Sequence, residues 1–325
     1  MKFLITIATL LFATCCFAQQ QNVYFFKLNG DPTDNKDSSD FVRLVRPPEK
    51  DSKLYQVLEY YPNGNQKLAA QSLTIEPITF EGPSLSFFKA GQRKSICTYS
   101  KGRLIKDFYE YYPNGKLYQY KKYPDEILKN DIKQASDKGD YLLQEAYDSL
   151  GTVKVKDGNG YYTVYNDDFT QVTEEGPIKN GKKDGLWKGV DKERNTTFEE
   201  KYEDGVLISG KAVHEGQSNN YSKARLTKPK FPNGEHALGA FMGTRIRYPA
   251  ADREKGIQGT VYIKFIVEKD GTLTDIHVIK SVSTNIDAEA LKVLKSTPIW
   301  IPGTNFGLPV RAEYRMPIIF ALAVE

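Results

Sequence analysis

The stretch EYYPNG stands at Glu59–Gly64 and recurs letter for letter at Glu110–Gly115, with a looser echo, FPNG, at Phe231–Gly234. Asn-Gly between aromatic flanks is among the strongest short hairpin signals, because both residues tolerate positive φ in a tight turn. Pro62 and Pro113 fix φ just before the turn and stop the strand. Similar phrases lie around other glycines: FFKAGQRKSICTYSKGRL, IKNGKKDGLWKGV and KYEDGVLISGKAV. Gly64, Gly91 and Gly115 are 27 and 24 residues apart, and Gly181 and Gly205 are again 24 apart. A unit of about 24 residues holding one or two hairpins cannot bury its own face and must stack on its neighbours. The expected outcome is an elongated β-hairpin array in which Asn130–Gly151 fits no repeat.

Composition agrees with a β-rich chain. Its 325 residues include 21 Tyr and 17 Phe against 3 Met, and aromatics with many glycine turns favour strands. Apolar residues make up 40% and charged residues 26%, which argues against disorder. Lys+Arg 45 against Asp+Glu 41 leaves a net charge of +4 with both signs interspersed. No basic stripe results, so no nucleic-acid partner is expected.

Met1-Lys2 precedes an apolar run, Phe3–Ala18, that ends before Gln19-Gln20-Gln21. As a helix this run reaches about 24 Å, short of a hydrocarbon core of about 30 Å. Residues 1–18 therefore read as a cleaved signal peptide and the mature chain as periplasmic. The alternative is an inner-membrane anchor through residues 3–18, with the rest facing the periplasm. Cleavage removes Cys15 and Cys16 and leaves Cys97 alone, so no internal disulfide is expected.

Past the polar stretch 214–230, read as a linker, the pattern changes. In TVYIKFIVEKDGTLTDIHVIKSV, Val261, Ile263, Phe265 and Val267 share one face, and Asp270-Gly271 turns the chain back. NIDAEALKVLKSTP reads as a helix, capped by Asn285 or Asp287, with Pro298 just past its end. In VRAEYRMPIIF, Val310, Ala312, Tyr314, Met316, Ile318 and Phe320 point one way. The order is that of a small α+β domain with two helices and a three-stranded antiparallel sheet. Pro317 cannot donate to a neighbouring strand, which places the last strand at an edge or a bulge.

Two resemblances follow from these phrases. Residues 19–213, through YYPNGK and NGKKDGLWKG, resemble MORN-type repeats of exported bacterial proteins. That implies an interaction or spacer module. Residues 231–325 resemble the C-terminal domain of the TonB family of energy transducers, Bacteroidetes type. The resemblance runs through RYPAADREKGIQGTVYIKFIVEKDGTLTDIHVIKS, IDAEALKVLKSTPIWIPG and GLPVRAEYRMPIIF. It implies capture of the TonB box of an outer-membrane transporter, as a strand added beside the last one. The implied docking strand is Val310, Arg311, Ala312, Glu313, Tyr314 and Arg315, with Tyr248 and Pro249 in the family's contact region. Ala251 stands where some transducers carry an arginine. A full transducer also has a membrane helix that meets the ExbB–ExbD motor and a proline-rich spacer. Here the 16 prolines are scattered and only residues 3–18 offer such a helix, so the sequence supports binding better than energy coupling. A homodimer is left open. The alternative is an envelope scaffold that binds protein or glycan through the repeats.

No catalytic set is found, and no cofactor or metal is expected. His214, His236 and His277 form no ligand pair. Gly176–Lys183, GPIKNGKK, has the spacing of a phosphate-binding loop, but Lys183 stands where Ser or Thr must hold magnesium. Cys97 reads as a buried small hydrophobe.

Overall fold

The computed structural model describes residues 22–125 and 141–322. The signal reading of 1–18 and residues 130–140 of the non-repeating stretch lie outside the described residues. The chain divides into two compact units. The first holds the described residues up to Tyr162, with Asp167–Phe169 and Ile178–Lys182; the second holds Thr163–Asn166, Thr170–Pro177 and everything from Lys183. The division thus falls inside the region read as one repeat array.

Within the first unit, strands pair antiparallel with their sequence neighbours, from Phe41–Arg46 against Tyr55–Tyr60 to Leu142–Tyr147 against Val153–Lys156. One face is buried, and Val45, Val57 and Ala70 face one another across three strands. Glu59 is buried there too, held by Arg43 Nε at 2.8 Å and Lys67 Nζ at 2.5 Å. Cys97 lies on this face, and burial pushes its thiol up to about 11.

The turns are of two kinds. Gly64 and Gly115 take φ of 86° and 82°, whereas Asn63 and Asn114 stay at negative φ. Gly64 N donates to Tyr61 O and Tyr61 N to Asn65 O, both at 2.9 Å, which is a type I turn closed by a glycine bulge. Lys101-Gly102, Asp157-Gly158, Asn180-Gly181 and Asp204-Gly205 instead have both residues at positive φ, the sign pattern of type I′ loops. The 24-residue spacing therefore relates turns within each kind. Gly64, Gly91 and Gly115 belong to the first kind, and Gly181 and Gly205 to the second.

EYYPNG does more than turn the chain. Tyr61 Oη donates to Phe87 O at 3.1 Å and Asn63 Nδ2 to Lys89 O at 2.9 Å. In the second copy Tyr112 Oη donates to Tyr147 O at 2.8 Å and Asn114 Nδ2 to Ser149 O at 2.9 Å. The acceptors flank or lie in a later turn of the same kind, so each hexapeptide stitches one hairpin to another. Asn114→Ala is expected to lower stability by about 1 kcal/mol through the lost stitch. Gly115→Ala, whose Cβ would meet nothing within 4 Å, should cost about 1–2 kcal/mol through left-handed strain alone. Urea midpoints of the two variants measure both.

In the second unit, Gly185–Asp191, Thr196–Glu203, Val206–His214 and Gln217–Tyr221 form a further antiparallel run. Gly176, inside the strand Val172–Lys179, lies against the Trp187 ring, and Gly181 is in the turn that follows, so the phosphate-loop spacing belongs to a packed strand and its hairpin turn. The stretch 214–230, read as a linker, contains Gln217–Tyr221 and a short strand, Leu226–Thr227, paired to Gly303–Asn305. Its polar side chains hid strands that are held by main-chain bonds.

The C-terminal module follows. FPNG is a helix lead-in, not a hairpin: Gly234 N donates to Phe231 O at 2.8 Å and the helix Gly234–Arg245 begins. A three-stranded sheet places Gly259–Val267 between Leu273–Lys280 and Ala312–Phe320. Val261, Ile263, Phe265 and Val267 are fully buried, under Ile286, Ala290, Val293 and Leu294 of the helix Thr284–Lys295. Ser283, not Asn285 or Asp287, caps that helix, its hydroxyl accepting from Ile286 N at 3.1 Å. Asp287 instead accepts from Ser281 Oγ and Val282 N at 2.5 and 3.1 Å, tying the helix start to the preceding strand.

Candidate peptide-docking edge

The strand Ala312–Phe320 pairs with Gly259–Val267 over its whole length in unbroken register, from Gly259↔Phe320 to Val267↔Ala312. Among the described residues it has no strand on its other side. Alternation sets its side chains. Met316, Ile318 and Phe320 are buried, and Tyr314 stacks on Phe265 at 5.4 Å and meets Trp300 edge-on at 5.2 Å. Glu313, Arg315, Pro317 and Ile319 face outward.

Pro317 fixes the phase of the backbone. It sits opposite Tyr262 without a bulge and has no N–H to give, so this pair is of the type whose backbone groups point away from each other. By period two, Glu313, Arg315 and Ile319 then aim N–H and C=O at the open side. Ala312 and Tyr314 aim theirs at the central strand.

The open edge carries mixed charge. Glu313 accepts from Lys264 Nζ and Arg315 Nε, both at 2.8 Å, and these hydrogen bonds hold its carboxyl below the usual range. Arg311 Nε reaches Glu268 at 3.0 Å; hydrogen bonds from Thr274 and then Arg311 lower that carboxyl too. Beyond Pro317, Ile319 is 74% exposed.

The residues expected to dock a peptide are only partly brought together. Ala312, Glu313, Tyr314 and Arg315 form the first half of the edge strand. Val310 belongs to a separate strand, Leu308–Val310, where it pairs with Gly303, and Arg311 is the single residue between the two. Tyr248 lies at the other end: its ring meets Phe320 edge-on at 5.7 Å and its hydroxyl donates to the Ile257 carbonyl. Pro249 precedes the short helix Ala250–Glu254, its carbonyl accepting from Asp252 and Arg253 N at 3.1 and 3.0 Å. Six residues of strand, about 20 Å, separate Tyr314 from Phe320. Tyr248 and Pro249 thus support one end of the strand and the 310–315 residues line the other. Sequence reading missed Ile319 and Tyr262, which flank Pro317 on the outer face; the outward parity of Ile319 was their available signal.

Residues 244–322 match the family described as Gram-negative bacterial TonB protein C-terminal. The matched segment holds the three-stranded sheet, the helix Thr284–Lys295 and the whole candidate edge. Protein TonB from two strains of Helicobacter pylori is 32% identical over 82 residues, covering 25% of this chain and 28% or 27% of the relative. The chain thus spans little more than a quarter of the length of the curated relatives it matches. Two solution structures of the Helicobacter pylori TonB C-terminal domain are 25% and 24% identical. They cover 27% and 28% of this chain and 79% and 95% of theirs, with TM-scores of 0.22. Among the described residues no helix is long and apolar enough to cross a membrane.

Proposed function

We propose that this chain is a TonB-like protein of the cell envelope. Its C-terminal module captures an extended peptide, the TonB box of an outer-membrane transporter, as a strand beside Ala312–Phe320. The observation that carries this reading is the open edge of a strand lying inside the segment matched to the TonB C-terminal family. Strand addition obtains affinity from main-chain hydrogen bonds and selectivity from alternate side chains. Here Glu313 and Arg315 offer two successive outward backbone positions before Pro317 interrupts the donors. Arg311, Glu313 and Arg315 then select by charge, and Ile319 by apolar contact. The role is binding, not catalysis. Isothermal titration of the full chain with synthetic TonB-box peptides tests it, and no heat at millimolar peptide overturns it. On this reading the chain supports transmembrane transport through the transporter it binds.

A second reading, a glycan-binding envelope scaffold, is favoured by one observation in the repeats. Leu44, Leu58, Ala69, Leu85, Ile96, Tyr109 and Tyr120 oppose one another in one row, all half-buried, on the face opposite the buried one. Tyr109 and Tyr120 stack at 4.8 Å at its end. On this reading Tyr109→Ser with Tyr120→Ser should at least halve co-sedimentation of the full chain with purified cell-wall glycan. Unchanged sedimentation removes the reading.

A further inference from the structure

We propose that Arg225 is a positioning residue for the docking strand, holding it through the 303–310 hairpin against the strands that precede the module. The proposal rests on the peptide-docking reading above. Arg225 lies in the stretch read as a linker, yet its guanidinium makes three hydrogen bonds to carboxylates. Nε donates to Glu200 Oε1 at 2.6 Å, and Nη2 donates to Glu200 Oε2 and, at 2.5 Å, to Glu174 Oε2. Glu200 has no exposed side-chain surface and also accepts from Tyr202 and Tyr221 hydroxyls at 2.9 and 2.7 Å. Lys183 Nζ completes the cluster on Glu174 at 2.7 Å.

The same guanidinium lies 4.2 Å over Phe198, a residue of the strand Thr196–Glu203, and 5.8 Å from Phe306. Phe306 is the tip of the hairpin formed by Gly303–Asn305 and Leu308–Val310. It stacks on Phe198 at 5.2 Å, meets Tyr221 edge-on at 5.7 Å, and donates its N–H to Arg225 O at 2.7 Å. Phe306 holds φ of 50°, costly for a bulky side chain and kept only where surroundings over-determine it. Leu226 and Thr227 pair with Asn305 and Thr304 alongside.

From this clamp to the docking strand there is no loop. Leu308–Val310 passes through Arg311 directly into Ala312. A change in the seat of Phe306 is therefore passed to Ala312–Arg315. Apolar contact alone would hold the tip without orienting it. The planar fork of an arginine on two carboxylates adds direction, which a lysine cannot supply. A pull on a bound peptide then passes through the hairpin into the sheet carrying Phe198 and Glu200.

Amide hydrogen exchange on the full chain, without peptide, tests this. In Arg225→Met and in Phe306→Ala, exchange at residues 303–308 and Val310, and at Ala312 and Tyr314, should quicken by about tenfold or more. Val261 and Ile263 in the central strand, opposite Ile318 and Met316 farther along the docking strand, should keep their protection. Unchanged exchange at Ala312 and Tyr314 in either variant overturns the proposal. So does equal quickening in the central strand, which would make Arg225 a residue of global stability. Because no peptide is present, failure of the docking reading shows separately, as absence of binding to the unmodified chain.

Discussion

Glu313→Pro is expected to weaken peptide capture severely while the C-terminal module stays folded. The N–H of Glu313 points to the open side, so proline there removes no bond to Gly259–Val267. Ala312, which proline would restrict, already lies in an extended strand. On the peptide's side the variant loses the first of the two outward donors, leaving only that of Arg315 before the gap at Pro317, and its ring obstructs the adjoining carbonyl contact. Loss of two main-chain bonds of ordinary strength weakens binding by roughly a hundredfold. Glu313→Ala is the control for charge: it keeps the N–H, and exposed ion pairs contribute little, so a loss of no more than about fivefold is expected. Tyr314→Pro is the control for phase. Its N–H faces the central strand, and circular dichroism should show that variant losing the module's cooperative unfolding. Equal affinity for Glu313→Pro and the unmodified chain would refute the assigned edge.

How much of this was legible in the sequence depends on what each residue answers to. The three-stranded sheet could be read because strict alternation in VRAEYRMPIIF and TVYIKFIV is imprinted by one buried face. The edge position could be read because Pro317 lacks a donor. Val310, however, continues that alternation on paper while pairing with Gly303 in another strand. The break at Arg311 has no side-chain signature. Tyr248-Pro249 was placed by resemblance, and the structure gives its tyrosine an internal partner, Phe320, about 20 Å along the strand from Tyr314. Arg225 was invisible as a site residue. Its partners Glu200 and Glu174 are 25 and 51 residues earlier, and nothing in a polar run of Ser, Lys and Asn marks one cation as half-buried. The repeated hexapeptide was legible as a turn, but its stitching role required knowing which hairpin comes next along the edge.

Glu200→Gln is expected to lower stability at neutral pH by about 3 kcal/mol and to flatten the acid limb of the stability curve. Burial alone would push the Glu200 carboxyl up; hydrogen bonds and charge from Arg225, then the Tyr221 and Tyr202 hydroxyls, outweigh it and hold the group below its ordinary 4.5. Burial likewise opposes ionisation of Glu174, and the charges of Lys183 and Arg225 bring it below 4.5 as well. A carboxyl whose folded value is depressed binds its proton more readily in the unfolded chain. Its contribution is therefore complete above pH 4.5 and is lost as pH falls below that value through the folded one. On acidification the unmodified chain should lose stability steadily below pH 4.5, as Glu200 and Glu174 take protons and half-buried Arg225 is left beside neutral partners. The amide of Glu200→Gln keeps one acceptor oxygen where the carboxylate uses two, and it never ionises. It forfeits the stabilisation at pH 7 and has correspondingly less to lose in acid. Urea midpoints at pH 7 and pH 3.5 separate the outcomes: converging curves carry the argument, and curves that fall in parallel would show that the cluster contributes no ionic stabilisation.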